Sequence, residues 1–335
     1  MKKYLLPEKG QFYKANMHMH TTVSDGKFTP QETKEAYMAE GYSIIAFTDH
    51  ETLMPHNDLR DENFLPITSH EISVNEPGQS SYEYIRTYHL NLYSRDPDES
   101  RPPFFNLNYA WKKDDDRTFE SERIYSDKGI NHLIKVAKER GYIVCMNHFS
   151  WSLQNYTDYI GLEGLWGAEC YNTGCAVEGY HRDNSIDVVD DMLHAGKQVF
   201  PVAADDSHKE IDRFGGYIMV KAESLDYDTI FAALERGDFY ASTGPEIDEL
   251  YLEDGILKIK SSGAKEICIN TERRVAWRKC AEGSETLGDV EFDMSRYLSN
   301  SDTTIKGPGR PFFRVTLIAP DGKMAYSRGY FLDEL

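Results

Sequence analysis

Tyr42-Ser43-Ile44-Ile45-Ala46-Phe47-Thr48-Asp49-His50 is the stretch on which the fold turns. Its first part is a nearly continuous apolar run, the pattern of a strand buried on both faces in a parallel sheet covered by helices. Upstream, Thr29-Pro30-Gln31-Glu32 is a helix start. Thr29 caps, Pro30 takes the first helical position and Glu32 closes a capping box. That helix should run to Glu40, where Gly41 ends it. The unit recurs: a helix around 131–140, Gly141 and a strand over 142–146; then a helix around 186–195, Gly196 and a strand over 198–203. Further strands are expected over 64–68, 88–93, 165–171 and 218–221. Repeated strand–helix units imply an α/β sheet or barrel.

The chain has 335 residues, and at ~150 residues per domain this suggests about two domains, although a barrel alone can exceed that length. Hydrophobic residues at 40% and charged residues at 28% exclude bulk disorder. The formal charge of −19 repels a phosphate backbone, so nucleic acid is a poor expectation for the main partner. Ahead of Pro7 the apolar stretch is only Leu5-Leu6, too short for a secretory signal, and no run approaches the ~20 residues of a membrane span. Five irregularly spaced cysteines read as reduced core thiols. A soluble, cytoplasmic protein is expected.

Residues 94–127 break the rhythm with Pro97, Pro102, Pro103 and Asp114-Asp115-Asp116, as a lid or a disordered loop would. After Pro245 the texture changes. Residues 250–252 and 256–260 flank Asp254-Gly255 as a hairpin, and 312–319 and 323–331 flank Pro320-Asp321-Gly322 as another. Short alternating strands suggest a small β-sandwich over 246–335, following an α/β domain over 1–245.

Histidines and acids gather where these strands end. His18 and His20, two residues apart, share one side of an extended strand, and Asp25 follows in Ser24-Asp25-Gly26. Asp49-His50, Ser69-His70-Glu71, His89, Asn147-His148 and Asp205-Asp206-Ser207-His208 lie at or on later strands. In α/β barrels reactive groups collect at the carboxyl ends of strands. Imidazole mixed with carboxylate, without thiolate, suits Zn, Mn or Fe. Nine candidate ligands exceed what one ion needs, so two or three divalent ions fit better. Such ions activate a water and clamp both oxygens of a phosphoryl displacement. Asp206 and His208 should share a face if their segment is extended, leaving Asp205 pointing the other way.

His18-x-His20, Ser24-Asp25-Gly26, Thr48-Asp49-His50, Glu71, His89, His148 and Asp206-x-His208 resemble the polymerase-and-histidinol-phosphatase (PHP) family of metal-dependent phosphoesterases. The resemblance covers roughly residues 14–243. It implies a distorted, seven-stranded β/α barrel holding up to three ions, often Mn, Fe or Zn. The implied metal ligands are His18, His20, Asp25, His50, Glu71, His89, His148, Asp206 and His208, with Glu71 bridging two ions. The implied catalytic set is Glu71, Asp206 and His208, acting through water activated by the metals. The segment 235–245 and the β-rich tail look like the branch with carbaryl-hydrolase-like proteins, some of which cleave carbamates or carboxyl esters. His70 departs from that pattern, as a spare ligand, a supporting partner or a surface histidine.

Lys209 and Arg213 are candidates to hold a substrate phosphate, or simply solvated charges. Trp151 either walls the pocket or belongs to the core. His132 and His194 read as structural, while His56 and His181 stay open. No Ser-His-Asp order or Gly-rich phosphate loop is found. Three functional readings follow: a hydrolase of a small phosphate ester, a hydrolase of a non-phosphorus ester or carbamate, and a metal-binding protein without catalysis.

Overall fold

The computed structural model describes residues 2–79, 81–104, 123–299 and 310–335. In chain order the elements are β1 (Lys2–Tyr4), β2 (Gln11–Asn16), α1 (Pro30–Ala39), β3 (Tyr42–Phe47), β4 (Leu65–Asn75) and β5 (Thr87–Ser94). Next come α2 (Asp127–Glu139), β6 (Tyr142–Met146), α3 (Tyr156–Tyr159), β7 (Gly167–Asn172), α4 (Thr173–Glu178), α5 (Asp187–His194), β8 (Phe200–Ala204), β9 (Tyr217–Ala222), α6 (Tyr227–Arg236) and β10 (Phe239–Ser242). The tail holds β11 (Glu246–Glu253), β12 (Ile256–Ala264), β13 (Glu266–Thr271), β14 (Ala276–Cys280), β15 (Leu287–Asp293), α7 (Ser295–Ser299), β16 (Phe312–Ile318), β17 (Met324–Ser327) and β18 (Tyr330–Phe331).

Local chemistry sets the element ends. Thr29 accepts from the Glu32 backbone while the Glu32 carboxylate accepts from Thr29, so α1 begins on a complete capping box. Ser126 caps α2 through the Gly129 N–H, which starts that helix earlier than its apolar periodicity indicates. Asp254 and Gly255 both sit in the left-handed region, the requirement of the tight turn between β11 and β12.

The main sheet runs β14-β13-β16-β17-β10-β9-β2-β3-β4-β5-β6-β7-β8, with β18 on β16. Pairs β2–β3, β3–β4, β6–β7 and β7–β8 are parallel, whereas β4–β5, β5–β6, β2–β9 and β9–β10 are antiparallel. Of the expected seven-stranded barrel, the structure shows a mixed α/β sheet that curls from β2 to β8. β9 pairs with β2 only over Gln11–Ala15. Beyond that, a single parallel bridge between Met19 and Ser207, with the Asp206 N–H donating to the His18 carbonyl (3.0 Å) and the His20 N–H to the Ser207 carbonyl (3.2 Å), brings the end of β8 beside the end of β2. Among the described residues between β4 and β5 no crossover α-helix intervenes, so the chain reverses instead of continuing parallel.

Inside the curl, Ala15, Met17, Ile44, Ile67, Tyr93, Val202 and Ile218 form one core. Outside it, α2 packs on β6 and α5 on β7, burying Ile130, Leu133, Ile134, Val189 and Met192. The tail also differs from a self-contained sandwich. One of its layers is β1-β11-β12-β15, which borrows β1 from the start of the chain, and the other continues the main sheet through β10 and β17. Leu250, Leu257, Ile269, Val315 and Leu317 fill the space between the layers, together with Leu5 and Leu6. Arg314 on β16 reaches Asp190 of α5 (Nη2–Oδ2 2.6 Å), tying the tail to the rest.

No helix among the described residues is long and apolar enough to cross a membrane. Cys145, Cys170 and Cys175 are buried free thiols, Cys268 is half-buried and Cys280 is exposed, and none is disulfide-bonded. Of the insertion over 94–127, residues 105–122 lie outside the described residues, and with them most of the lid reading. Its flanks are anchored: Asn57 donates to the Pro97 carbonyl (2.9 Å), and Arg123 pairs with Glu51.

Candidate metal centre

The site forms on the strand ends around Glu71. In the β4–β5 ladder Glu71 faces Asn91 and Ser73 faces His89, so Glu71 and His89 are diagonal neighbours on one face. An isolated bridge between His50 and Glu71 brings the end of β3 alongside, with His50 Nδ1 at 2.8 Å from Glu71 Oε2. His18 and His20 follow β2, and their Nε2 atoms face each other at 3.1 Å. Both meet Asp206 Oδ1, at 3.2 and 3.1 Å. His148 Nε2 lies 3.5 Å from Glu71 Oε1 and 3.7 Å from Asp206 Oδ2. Asp25 closes the cluster, 3.4 Å from His208 Nε2. Gly26 makes that turn: a Cβ there would sit 2.4 Å from the His20 carbonyl oxygen, so only glycine lets the loop pack this closely.

The structure therefore brings together all nine residues singled out as ligands. They fall into four overlapping sets whose donor atoms lie within 4.8 Å of one another: His20, Asp25, His50 and His208; His18, Glu71 and His148; His18, His20 and Asp206; His50, Glu71 and His89. Glu71 and Asp206 each belong to more than one grouping or face several imidazoles. The donor set suits divalent ions. His20 Nδ1 is buried without a hydrogen-bond partner, a costly arrangement that a cation would relieve.

The electrostatics follow from crowding. Burial alone would raise the Glu71 carboxyl, but the His89, His18 and His50 charges outweigh it and hold it well below the usual range. Burial opposes the His18 imidazolium, yet Asp206, Glu169 and Glu71 hold it well above the ordinary value. His20 goes the other way, to about 3, because burial adds to repulsion from His50 and His208.

The Asp205–His208 segment reaches its geometry by an unexpected route. It is not extended: Asp206 has φ +51°. Asp206 and His208 nevertheless face the cluster, with His208 Nδ1 at 3.0 Å from the Asp206 carbonyl. Asp205 turns away and accepts from the Tyr37 hydroxyl (2.7 Å), the Thr173 hydroxyl (2.6 Å) and the Phe214, Gly215 and Gly216 N–H groups (2.8, 2.9 and 3.0 Å).

Other candidates separate. Lys209 lines the pocket, its Nζ 3.9 Å from both Glu178 and Asp212. Arg213 does not line the pocket; its guanidinium stacks over Phe28 at 3.5 Å, which removes it from the substrate side. Trp151 does line the pocket, with its ring 5.0 Å from His148 and 5.4 Å from His89. His70 is neither ligand nor surface residue. It points to the opposite face of β4 from Glu71, fully buried, and burial followed by Arg123 lowers it to about 3. His56 packs on Phe47, His132 and His181 are exposed, and His194 bonds the Asp190 carbonyl.

Several supporting residues escaped the sequence reading. Glu169 on β7 accepts from His18 Nδ1 (2.6 Å), the His148 N–H (2.9 Å) and Asn172 (2.9 Å). Asn147 donates to Glu71 Oε1 at 2.7 Å. Asp49, adjacent to a ligand, instead binds Thr21 and Ser24 and staples the loop that carries Asp25. The available signal for Glu169 was an acid inside an apolar strand, which stays buried only when paired.

No family description matches the chain's sequence. Over 45 residues it is 49% identical to the DNA polymerase/3′-5′ exonuclease PolX of Bacillus subtilis, a stretch that is 13% of this chain and 8% of that protein. The chain thus spans under a tenth of the length of this curated relative. Its structural neighbours are PHP-like metal-dependent phosphoesterases and an amidohydrolase. A two-domain Bacteroides vulgatus protein containing a predicted PHP-like metal-dependent phosphoesterase is 14% identical, covers 98% of both chains and gives a TM-score of 0.41. A Bifidobacterium adolescentis protein provisionally described as a metal-dependent phosphoesterase is 14% identical, covering 61% of this chain and 89% of its own, with a TM-score of 0.37. An amidohydrolase of Chromobacterium violaceum, solved with sulfate and no metal, is 15% identical over 58% of this chain and 87% of its own, with a TM-score of 0.38.

Proposed function

We propose that this chain is a PHP-type metal-dependent hydrolase of a small-molecule phosphate ester. The observation that carries the reading is the convergence of six imidazoles and three carboxylates into four sets, each with donor atoms within 4.8 Å. His18, His20, Asp25, His50, Glu71, His89, His148, Asp206 and His208 would hold two or three ions of the Mn, Fe or Zn type, with Glu71 shared between two of them. Bound there, divalent ions would supply an activated water and electrophilic stabilisation of a phosphoryl oxygen. The chain's own residues do the rest. Glu169 orients His18, Asn147 orients Glu71, and Ser152 holds His148 Nδ1 at 3.2 Å.

A second reading, hydrolysis of a non-phosphorus ester or carbamate, has one observation in its favour. Among the described lining residues the one Lys or Arg is Lys209, and its charge is already shared by Glu178 and Asp212. Assaying a phosphomonoester, a phosphodiester and a carboxyl ester side by side with added Mn separates the two. Turnover of the phosphomonoester is expected; turnover of the carboxyl ester alone would overturn the phosphate reading.

A further inference from the structure

The pocket above the nine donors has a volume of about 560 Å³, room for a small organic molecule well beyond one phosphate group. Trp151 stands beside His89 and His148 with Tyr82 against it, and Ile85 and Leu153 add apolar lining. Trp151 is firmly built. Asp183 accepts from the Ser150 and Trp151 N–H groups (2.6 and 2.9 Å), and the Ser152 N–H bonds the His148 carbonyl (3.1 Å). The indole therefore stands at a fixed height over the ligand histidines, as a selective contact needs. Across the mouth it meets Tyr82 edge-on at 6.2 Å, and Tyr82 is 72% exposed. Leu153 presents an apolar side chain at the same mouth from a left-handed backbone (φ +58°) that a leucine adopts only under constraint.

The rest of the lining mixes the uncharged Ser73, Asn75, Thr87 and Tyr180 with the acids Glu83, Glu178 and Asp212; Glu51 is committed to Arg123, and Lys209 is already balanced. A second anionic group on a substrate would meet carboxylates with no spare cation among the described lining residues to receive it, and repulsion of this kind sets specificity as firmly as attraction does.

We propose that the pocket selects esters whose leaving group carries an uncharged aromatic ring, and that Trp151 sets this preference by packing against that ring. The inference rests on the reading of the site as a metal-dependent ester hydrolase and adds the substrate class.

The test pairs compounds whose reacting ends match. Benzylphosphonate and ethylphosphonate, which are not cleaved, are titrated calorimetrically into the Mn-loaded protein. Turnover is then compared for benzyl and ethyl phosphate, 4-carboxybenzyl phosphate, and benzyl and ethyl acetate. An apolar contact of this size is worth roughly 10-fold or more in discrimination. Benzyl should exceed ethyl by about that factor in both binding and kcat/KM, and the ring carboxylate should reduce kcat/KM by a similar factor. Trp151→Ala should bring the benzyl-to-ethyl ratio to within about twofold of unity, while Trp151→Phe retains most of it. If Trp151→Ala fails to fold, Tyr82→Ala at the exposed mouth should still lower the ratio. Phosphate turnover without a benzyl preference in the native protein would overturn the inference and leave the phosphoesterase reading standing. Acetate turnover with a benzyl preference, and none of the phosphates, would sink the phosphate reading and leave the inference standing. An unchanged ratio in Trp151→Ala would remove Trp151 from the account.

Discussion

Replacing Asp205 by Asn, beside the same change at Asp206, separates a scaffolding acid from a ligand. Asp205 Oδ1 accepts from Thr173, Gly215 and Gly216, and Oδ2 accepts from Tyr37 and Phe214. In Asp205→Asn the oxygen can keep the first three. The new NH₂ group faces the Phe214 N–H, donor against donor, while the Tyr37 hydroxyl can rotate to accept. One bond is therefore lost and one inverted. Each charge-assisted bond is worth about 1.5–3 kcal/mol. The buried carboxyl is itself raised by burial, so removing the charge returns part of that. A net loss of about 2–3 kcal/mol follows, a substantial share of the roughly 5–15 kcal/mol that holds a domain together. Metal should remain. Asp206→Asn should instead empty the site, because Asp206 faces His18, His20 and His148. Urea unfolding and metal content measured on both variants decide the matter. A stable, metal-free Asp205→Asn would refute the assignment.

Glu169→Gln keeps the shape of the group that orients His18 but removes its charge, and should cost about 10–100-fold in metal affinity or turnover; a change within twofold would reduce Glu169 to packing. Burial opposes protonation of His148 and His208, but hydrogen bonds to Glu71 and Asp25 and the nearby carboxylates push both up to about 9. At neutral pH both then carry protons in the metal-free protein, and a metal accepts only the unprotonated ring. With His18, which its neighbouring carboxylates also hold well above the ordinary value, metal binding should release about three protons, with affinity rising as pH rises toward 9 by roughly tenfold per pH unit per proton. Calorimetry in buffers of different ionisation enthalpy reads this directly, and no proton release would contradict it. Arg314→Leu breaks the pair with Asp190, whose side chain is 27% exposed, so the loss should be about 2–3 kcal/mol, below that of a fully buried pair. Equal urea midpoints for wild type and variant would show that the pair does not hold the tail.

What could be read from the sequence was whatever local chemistry fixes. The strands over 42–47 and 142–146 appear at those residues because an apolar run bounded by Gly41 or Gly141 leaves little choice. The helix cap at Thr29 is equally local. Long-range pairing was not legible. Nothing in 217–222 says that both its edges are taken by β2 and β10, nor in 205–207 that this segment returns to pair with 18–20 beyond the end of β2. Nor does Lys2-Lys3-Tyr4 announce that it pairs with residues 251–253. At the site, histidines and acids on strand ends were visible as a pattern, while their supports were not, because Glu169, Asn147 and Asp183 act across gaps of 20 residues and more. Arg213 shows the opposite error: a cation next to a ligand motif invites a phosphate, but stacking on Phe28 took it elsewhere.

Metal content of the protein purified without a metal-affinity step tests the central claim most directly. Mass spectrometry should find about two or more equivalents of Mn, Fe or Zn per chain, with ester hydrolysis lost on chelation and restored by adding the metal back. Full hydrolytic activity in protein that carries no metal would contradict it.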